Sequence, residues 1–290
     1  MALKIILTLL CRNEVDIIAD IIDFHISRGI DYVIATDNGS EDGTTEILEK
    51  YEKAGCLHLI RESEFTHDQS IWVTRMAQLA AQEYGADWVI NSDADEFWWP
   101  NSGSLKNSLT RIPSNVDVLE VKRTNFLPKT KELGSYSERM FVREVVSCNS
   151  LGHPLPPKVC HRGYTDLLVL DGNHTVKRKN SDIDMLVSTN HDIEILHFPL
   201  RTYAQFERKI RLGAEALQRN RRIEGTGVGN TWLYLYRHYY LTDTLYDYYL
   251  SQCADDNVVS CGINQGTLVV DRRLNDALMD LSVRWQGGSK

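Results

Sequence analysis

The sequence predicts an α/β fold in which a Rossmann-like, mostly parallel central sheet is flanked by helices and followed by a helical C-terminal extension. Two observations lead to this fold class. Short apolar runs alternate with segments of helical spacing over the first hundred residues, and a glycine ends each helical segment, at Gly29, Gly55 and Gly85. Strands that alternate with helices pair in parallel through right-handed crossovers, so the carboxyl ends of the strands meet at one edge of the sheet.

The predicted elements follow one another in a regular order. In the first hundred residues, strands are expected over 3–11, 32–36, 57–60 and 88–91, and helices over 14–27, 43–54 and 71–84. Further strands are expected at 116–124, 167–171 and 193–197, and further helices at 202–219 and 232–251. The segment 125–165 is rich in proline, glycine and polar residues, which is typical of loops with short strands.

Composition excludes some classes of protein. The chain has 290 residues and a net charge of −8, from 32 Lys and Arg against 40 Asp and Glu. An acidic balance argues against a general nucleic-acid binder, and no apolar run is long enough to cross a bilayer. The apolar start of the chain leads into Arg12 without a small-residue cleavage site, which favours a buried first strand over a signal peptide.

The six cysteines bear on the cellular compartment. They form no Cys-x-x-Cys pair, which favours reduced thiols and a cytoplasmic location. Cys253 and Cys261 could pair in an oxidising compartment.

A carboxylate cluster directly follows the fourth predicted strand. If the chain stays extended past Ser92, Asp93 and Asp95 point to the same face. Two hard oxygen donors aimed at one point suit Mg²⁺ or Mn²⁺, and such a cation usually also takes phosphate oxygens. The alternative interpretation is a solvated acidic turn.

Polar clusters also follow the first two predicted strands. The sequence RNE occupies residues 12–14, and DNGSEDGT occupies residues 37–44. Ligands on open α/β sheets bind beyond the carboxyl ends of the strands, so these clusters and the one at 93–96 indicate an active site at a single edge. Alternatively, residues 37–44 form an ordinary strand–helix joint in which Ser40 or Asp42 caps the helix.

The order and spacing of RNE at 12–14, DNGSEDGT at 37–44 and DADEF at 93–97 resemble family 2-type glycosyltransferases with the GT-A fold. LHFPLR at 196–201, with the basic helix after it, resembles a DUF23/GT92-related bacterial subgroup. The resemblance is specific over residues 4–100 and looser over 160–215. It implies a domain at 1–222, with a nucleotide-binding half (1–100) and an acceptor and metal half (101–222), followed by a helical extension at 223–290.

The resemblance also implies roles for the nucleotide-binding residues. Asp42 would contact the base of the donor nucleotide, and Glu14 and Asp37 would line the base and ribose pocket. Arg12 and Asn38 would belong to the same pocket.

Further roles concern the cofactor, Mn²⁺ or Mg²⁺. Asp93 would lie near the ribose and the metal, and Asp95 would be the direct ligand that bridges the metal to the diphosphate. GT-A enzymes often take a third ligand from a later histidine. His197 is the first choice because Arg201 follows it in position for a phosphate contact, and His174 is the second. Either histidine could instead be an ordinary loop or core residue.

An inverting transferase needs a general base for the acceptor hydroxyl. The chain has no match to the acidic pair that supplies the base in family 2. Asp171 is the first candidate because it precedes the turn that contains His174, and Asp166 and Glu144 are the others.

The expected partners follow from the resemblance. They are a nucleotide-diphosphate sugar donor, with a UDP-sugar favoured, and a glycan or lipid-linked acceptor, with surface polysaccharide synthesis as the setting. Inversion is the expected outcome, and peripheral membrane association and homo-oligomer formation are left open.

Two other functions remain as alternatives. A sugar-1-phosphate nucleotidyltransferase would normally carry a glycine-rich loop with Arg and Lys after the first strand, which residues 11–14 lack. A carbohydrate-binding or assembly subunit would keep the fold without catalysis.

Overall fold

The structure is a computed structural model that describes residues 3–64, 66, 68–179, 184–220 and 227–287. The chain divides into two compact units. The first comprises Met1–Arg123 and Pro156–Leu196, and the second comprises Thr124–Leu155 and His197–Lys290. The domain boundary at residue 222 that the resemblance implies stays a prediction.

The elements before residue 126 alternate as expected. They are β1 (Ile5–Cys11), α1 (Ile18–Ser27), β2 (Tyr32–Asp37), α2 (Thr44–Lys53), β3 (Leu57–Arg61), α3 (Gln69–Gln82), β4 (Trp88–Asp93), β5 (Glu96–Pro100), α4 (Leu105–Thr110) and β6 (Val118–Asn125). All the strands and helices predicted over the first hundred residues are present, with ends that differ by a few residues. The short elements β5 and α4 were not expected from the sequence.

The remaining elements are shorter and more mixed. They are α5 (Tyr136–Arg139), β7 (Val142–Glu144), β8 (Lys158–Arg162), β9 (Leu167–Val169), a 3₁₀ turn (Asp171–Asn173), β10 (Val176–Arg178), β11 (Val187–His197), α6 (Tyr203–Arg219), α7 (Asn230–Leu235), a π-helical turn (Tyr236–Tyr240), α8 (Leu245–Gln252), α9 (Asp256–Asn264), β12 (Leu268–Val270) and α10 (Arg273–Gly287).

The central sheet has eight strands in the order β3-β2-β1-β4-β8-β6-β11-β5. β1 pairs in parallel with β2 and β4, and β2 pairs in parallel with β3. β8 is antiparallel to both β4 and β6. The predicted α/β class with a GT-A-like, helix-flanked sheet is therefore confirmed, and β1 to β4 form a parallel part of this sheet.

Burial on both faces explains the apolar sequence of β1. Ile5, Ile6, Leu7 and Leu9 are all fully buried, which is expected for a central strand covered by helices on both sides. α3 covers one face with Val73, Met76, Ala77 and Ala80, whose spacing places them on one side of the helix.

The predicted helix over residues 232–251 is wrong in its continuity, because the chain forms α7, the π-helical turn and α8 instead. Two features interrupt the helix. Asp243 has a φ of 57°, which a continuous helix does not allow. The Thr242 hydroxyl donates to the His238 carbonyl at 2.8 Å, a local bond that competes with regular helical pairing.

The second unit has its own core, in which α6, α7 and α8 pack together. Its buried members are Phe206, Ile210, Leu235, Leu245, Tyr249 and Cys253, with a rim of partly buried tyrosines and Trp232. The dense aromatic sequence of this region therefore serves packing to a large extent.

Two further findings concern membranes and thiols. Within the described ranges, no helix combines the length and the apolar character that crossing a bilayer requires. All six cysteines lie in described segments and are free thiols, including Cys253 and Cys261.

Buried histidines make the stability of the first unit depend on pH. His25 donates from Nδ1 to the Ile21 carbonyl at 2.7 Å, and its Nε2 accepts the Trp98 N–H at 3.1 Å. Burial lowers the pKa of His25 from 6.5 to about 4. A second proton on Nε2 would face the Trp98 N–H, so only the neutral ring satisfies both neighbours.

We therefore expect acid to destabilise the fold. Between pH 6.5 and pH 4 the unfolded chain takes up a proton on His25 that the folded chain does not, so stability present above pH 6.5 is lost as the pH falls. The slope is about 1.4 kcal/mol per pH unit for such a group. Urea denaturation at several pH values measures it, and His25→Gln should flatten the dependence. Equal slopes for both proteins would contradict the assignment.

Candidate functional site

The ends of β1 and β2 are joined by hydrogen bonds through Asn13. The Asn13 N–H donates to Ser40 Oγ at 2.9 Å, and the Glu41 N–H donates to Asn13 Oδ1 at 2.8 Å. Asn13 has a φ of 56°, a conformation that Asn tolerates better than most residues. Arg12, just before it, is half-buried at the end of β1.

Asp37 organises the loop that follows β2. Its Oδ1 accepts from the Ser40 N–H at 3.1 Å and from the Ser40 hydroxyl at 2.6 Å, and its Oδ2 accepts from the Thr45 hydroxyl at 2.5 Å. The loop turns at Gly39 and Gly43, whose φ angles of 66° and 104° favour glycine. The buried Asp37 therefore shapes the loop from inside.

Asp42 and Glu14 meet at the start of α2. Asp42 Oδ1 accepts from the Thr44 N–H at 3.1 Å and from the Thr44 hydroxyl at 2.6 Å. Asp42 Oδ2 accepts from the Val15 N–H at 3.2 Å, and Thr44 Oγ1 accepts the Glu14 N–H at 2.9 Å. Asp42 thus satisfies an N–H in the first turn of α2 and ties this turn to the chain after β1.

Asn38 extends this network towards β3. Its side-chain amide donates to the Glu64 carbonyl at 2.8 Å and to the Glu62 carbonyl at 3.4 Å. The structure therefore brings together all five residues predicted to bind the nucleotide from the first two loops, which are Arg12, Glu14, Asp37, Asn38 and Asp42.

The carboxylates after β4 adopt a different backbone from the one expected. β4 ends at Asp93, residues 94 and 95 form a turn, and β5 begins at Glu96. The extended strand geometry that would align Asp93 and Asp95 is therefore wrong, because the strand ends at Asp93 and Asp95 lies in a turn. Asp95 is 2% exposed, whereas the Asp93 side chain is 30% exposed.

Two basic residues accompany this carboxylate turn. Lys158 Nζ, at the start of β8, lies 2.5 Å from Asp93 Oδ2 and 3.4 Å from Glu96 Oε1. Arg123 Nη1, on β6, lies 3.1 Å from the same Glu96 oxygen. Burial by itself raises the pKa of Asp93, but the charge and hydrogen bond of Lys158, together with the Arg123 charge, hold the pKa below its usual value. Asp93 is therefore ionised at neutral pH.

The short turn at Asp171–Asn173 approaches the same carboxylate. The amides of Asn173 and Gln69 donate to Asp93 Oδ1 at 3.1 and 3.4 Å. Gln69 Oε1 accepts the Gly172 N–H at 3.0 Å, and Asp171 Oδ1 accepts the Ser70 N–H at 3.1 Å. The turn is thereby fixed between the first turn of α3 and the end of β4.

His174 completes the turn as a neutral imidazole. Its Nδ1 lies 2.7 Å from the Pro157 carbonyl, which can only accept, so Nδ1 carries the hydrogen and Nε2 carries the lone pair. Burial and then the Lys158 charge lower the pKa of His174 to about 4. This is the protonation state that a metal-binding histidine needs.

Asp166 has a different environment. Its Oδ1 lies 2.5 Å from Arg178 Nε, so an ion pair between neighbouring strands engages this carboxylate.

The second unit contains the other predicted site residues. His197 Nδ1 lies 2.7 Å from Asn125 Oδ1 and donates to it, and the Asn125 N–H donates to Ser147 Oγ at 2.8 Å. Burial raises the pKa of Glu144. Hydrogen bonds with the side chains of Ser147 and Asn125 offset part of this rise. Glu144 and His197 are therefore joined through Asn125.

Arg201 is fully buried in the second unit and donates from Nη1 to the Phe198 carbonyl at 3.2 Å. The Arg201 carbonyl accepts a bond from Arg139 Nη2. The guanidinium therefore supports the bend after β11, and a phosphate contact by Arg201 stays a prediction.

The residues around Asp93 have the donor chemistry that Mn²⁺ or Mg²⁺ takes. They offer carboxylates, the neutral His174 ring and the Asn173 amide oxygen, which is buried and accepts no hydrogen bond from any residue that the structure describes. Over the same described part of the chain, no three His, Cys, Asp or Glu side chains form a group that could hold a metal ion.

Sequence reasoning missed four residues of this site, namely Gln69, Arg123, Lys158 and Asn173. None belongs to a motif, and each reaches the carboxylate turn from an element distant in the chain. The sequence before Lys158, with two prolines, predicts a loop and carries no signal for a buried cation.

The parallel half-sheet, the loop after β2 and the carboxylate turn after β4 agree with a fold of the GT-A class. A family comparison agrees, because residues 10–148 match the model of Glycosyltransferase family 92 over just under half of the chain. This match confirms the resemblance predicted from the sequence. No curated protein sequence matches the chain.

Three solved protein structures are similar to this chain at low sequence identity. TarS 1-349 of S. aureus, in complex with UDP-GlcNAc, is 16% identical with a TM-score of 0.45, over 74% of this chain and 66% of that one. The mannosyltransferase PcManGT of Pyrobaculum calidifontis, in complex with GDP-Man and Mn²⁺, is 18% identical with a TM-score of 0.34, over 41% of this chain and 35% of that one.

The third is glucosyl-3-phosphoglycerate synthase of Mycobacterium tuberculosis, in complex with Mn²⁺, UDP-glucose and phosphoglyceric acid. It is 20% identical with a TM-score of 0.31, over 41% of this chain and 44% of that one. The present chain thus spans between about a third and two thirds of the length of these three structures.

Gly172 allows the turn beside Asp93, for two reasons. Its φ is 77°, and a Cβ at this position would lie 2.5 Å from His174 Cδ2. We expect Gly172→Ala to lower the free energy of unfolding by more than the roughly 1 kcal/mol that a positive φ alone costs. Gly103→Ala is the matched control, because Gly103 has a φ of 85° and no atom within 4 Å of the added Cβ. Equal losses in urea denaturation would contradict this role.

Proposed function

We propose that the chain is a metal-dependent glycosyltransferase that moves a sugar from a nucleotide-diphosphate sugar to a glycan or lipid-linked acceptor. The observation that carries this proposal is the register of β1. Cys11 is paired with Asp37 on one side, and Leu10 is paired with Asp93 on the other. The nucleotide loop and the carboxylate turn therefore lie on either side of one strand end, within the segment that matches family 92.

The loop network supports a nucleotide pocket at this edge. Asp42 and Asp37 are held by several hydrogen bonds within the loop, so their positions are set before any ligand arrives. Preorganised polar groups lose little conformational freedom on binding. We assign Asp42 to the base and Glu14, Asp37, Arg12 and Asn38 to the pocket around base and ribose. A UDP-sugar is the favoured donor.

The carboxylate turn is the proposed binding site for the metal and for the diphosphate of the donor. Asp95 is the proposed direct ligand of Mn²⁺ or Mg²⁺, and Asp93 lies beside it. When bound, such a cation offsets the negative charge that develops on the leaving diphosphate. His174 is the nitrogen donor that the structure favours, because its turn contacts Asp93 and its Nε2 carries a lone pair. His197 and Arg201 keep their predicted roles as alternative ligand and phosphate contact.

The acceptor needs a base to take its proton. Asp171 remains the first candidate, since it belongs to the turn whose Asn173 contacts Asp93. Glu144 is the second candidate because burial raises its pKa, which makes it a stronger base. The ion pair with Arg178 holds one oxygen of Asp166, the third candidate. We also propose that the transfer inverts the configuration of the sugar. The proposed location of the protein is the cytoplasm.

A nucleotide screen tests the activity. We expect one class among UDP-, GDP-, CMP- and dTDP-sugars to stabilise the protein only with Mn²⁺, by about 2.7 kcal/mol at about 100 times Kd. Asp95→Asn should lose this stabilisation, measured as the shift in Tm. The matched control is Glu83→Gln, an exposed carboxylate at the opposite end of α3, which should respond like wild type.

The outcomes separate the alternative functions. Slow, metal-dependent hydrolysis of the same donor supports a transferase, and the absence of a response to any nucleotide would overturn the proposal. Binding without hydrolysis or transfer favours an inactive subunit. Release of pyrophosphate from a nucleoside triphosphate and a sugar phosphate identifies a nucleotidyltransferase.

A separate experiment tests whether His174 or His197 is the nitrogen ligand of the metal. We expect His174→Ala to weaken Mn²⁺ binding in the presence of UDP by about tenfold, because a ligand to the cation is lost. His197→Ala should change it much less. Isothermal titration measures both, and the reverse order of effects would restore His197 as the ligand.

A further inference from the structure

A buried lysine lies next to the carboxylate turn, and no step of the proposed reaction uses it. The Lys158 side chain is 1% exposed, and its Nζ lies 2.5 Å from Asp93 Oδ2 and 3.4 Å from Glu96 Oε1. A buried ammonium is costly unless carboxylates compensate it. Lys158 is therefore a fixed part of the turn and does not reach out into solvent.

Asp93 has a protein donor at each of its oxygens. Lys158 contacts Oδ2, and the amides of Asn173 and Gln69 donate to Oδ1. A divalent cation that bound Asp93 directly would have to share its oxygens with these donors and lie close to the positive charge of Lys158. The ammonium is the hardest to displace, since it is buried and carries a full charge.

The charges of the turn show what Lys158 contributes. Lys158 lies against the carboxylates of Asp93 and Glu96, and Arg123 lies against that of Glu96. Without Lys158, the turn would be more negative by one charge. A more negative turn would attract a divalent cation more strongly and repel a diphosphate more strongly.

We infer that Lys158 is a resident cation that competes with the divalent metal for Asp93 and keeps the affinity of the ligand-free protein for the metal low. The inference rests on the proposed function in so far as the metal serves the donor diphosphate. Since Lys158 holds one oxygen of Asp93 and adds a positive charge beside it, diphosphate oxygens are needed for tight metal binding. Metal binding is in this way coupled to donor binding.

Titration of the full chain with Mn²⁺ alone tests the inference. We expect Lys158→Met to bind Mn²⁺ about tenfold more tightly than wild type, since it frees Asp93 and adds a net negative charge. Most of the gain should disappear in the Asp93→Asn background, because the freed ligand is then absent and only the charge difference remains. Lys106→Met is the matched control, since Lys106 Nζ also lies 2.5 Å from a carboxylate, that of Asp31, and it should leave the affinity unchanged.

Circular dichroism accompanies each titration to show that the variant is folded, and Lys158→Gln serves as a second variant that keeps a hydrogen-bond donor. If neither variant folds, Asp93→Asn is compared with Glu96→Gln, which removes the same charge from the turn. The inference requires that Asp93→Asn loses no more than threefold more Mn²⁺ affinity than Glu96→Gln, because Lys158 hinders direct binding of the metal to Asp93. A larger loss overturns it, as does unchanged or weaker Mn²⁺ binding by a folded Lys158 variant. These titrations contain no nucleotide, so their failure leaves the nucleotide screen for the proposed function unaffected.

Discussion

The parallel pairing of β1 with β2 on one side and β4 on the other is the constraint on which the site depends. Because β1 is buried on both faces, its neighbours are fixed in register, and the chain can leave the sheet only at the strand ends. The loop after β2 and the turn after β4 therefore open at the same edge. Every polar contact of the candidate site in the first unit is built outward from this edge.

The acidic residues of the candidate site fall into two groups, which differ in the donors that their oxygens contact. Asp37 and Asp42 use their oxygens to bind N–H and hydroxyl groups of one loop, which makes them rigid. Asp93 is instead surrounded by side chains from three other elements, including a lysine. The first arrangement preorganises the loop after β2, and the second sets the charge of the place where a diphosphate would bind.

Much of the fold was predictable because the pattern in the first hundred residues is local. The alternation of apolar runs and helical spacing identifies β1 to β4 and α1 to α3, and the glycines after each helix limit their ends. The failures have local causes too. The helix over 232–251 breaks where Asp243 adopts a positive φ, and the strand geometry assumed for Asp95 ends at the turn after Asp93. Neither feature changes the apolar pattern, so the pattern could not report it.

The sequence by itself determined the α/β class, the polar loop after β2 and the position of the carboxylate cluster after β4, because each consists of residues close together in the chain. Only the tertiary structure decided what surrounds Asp93. Lys158 follows it by 65 positions and Asn173 by 80, and they meet it because β8 pairs with β4 and because the turn before β10 packs on α3. Pairing of distant strands depends on the packing of the whole sheet, and no short motif records it.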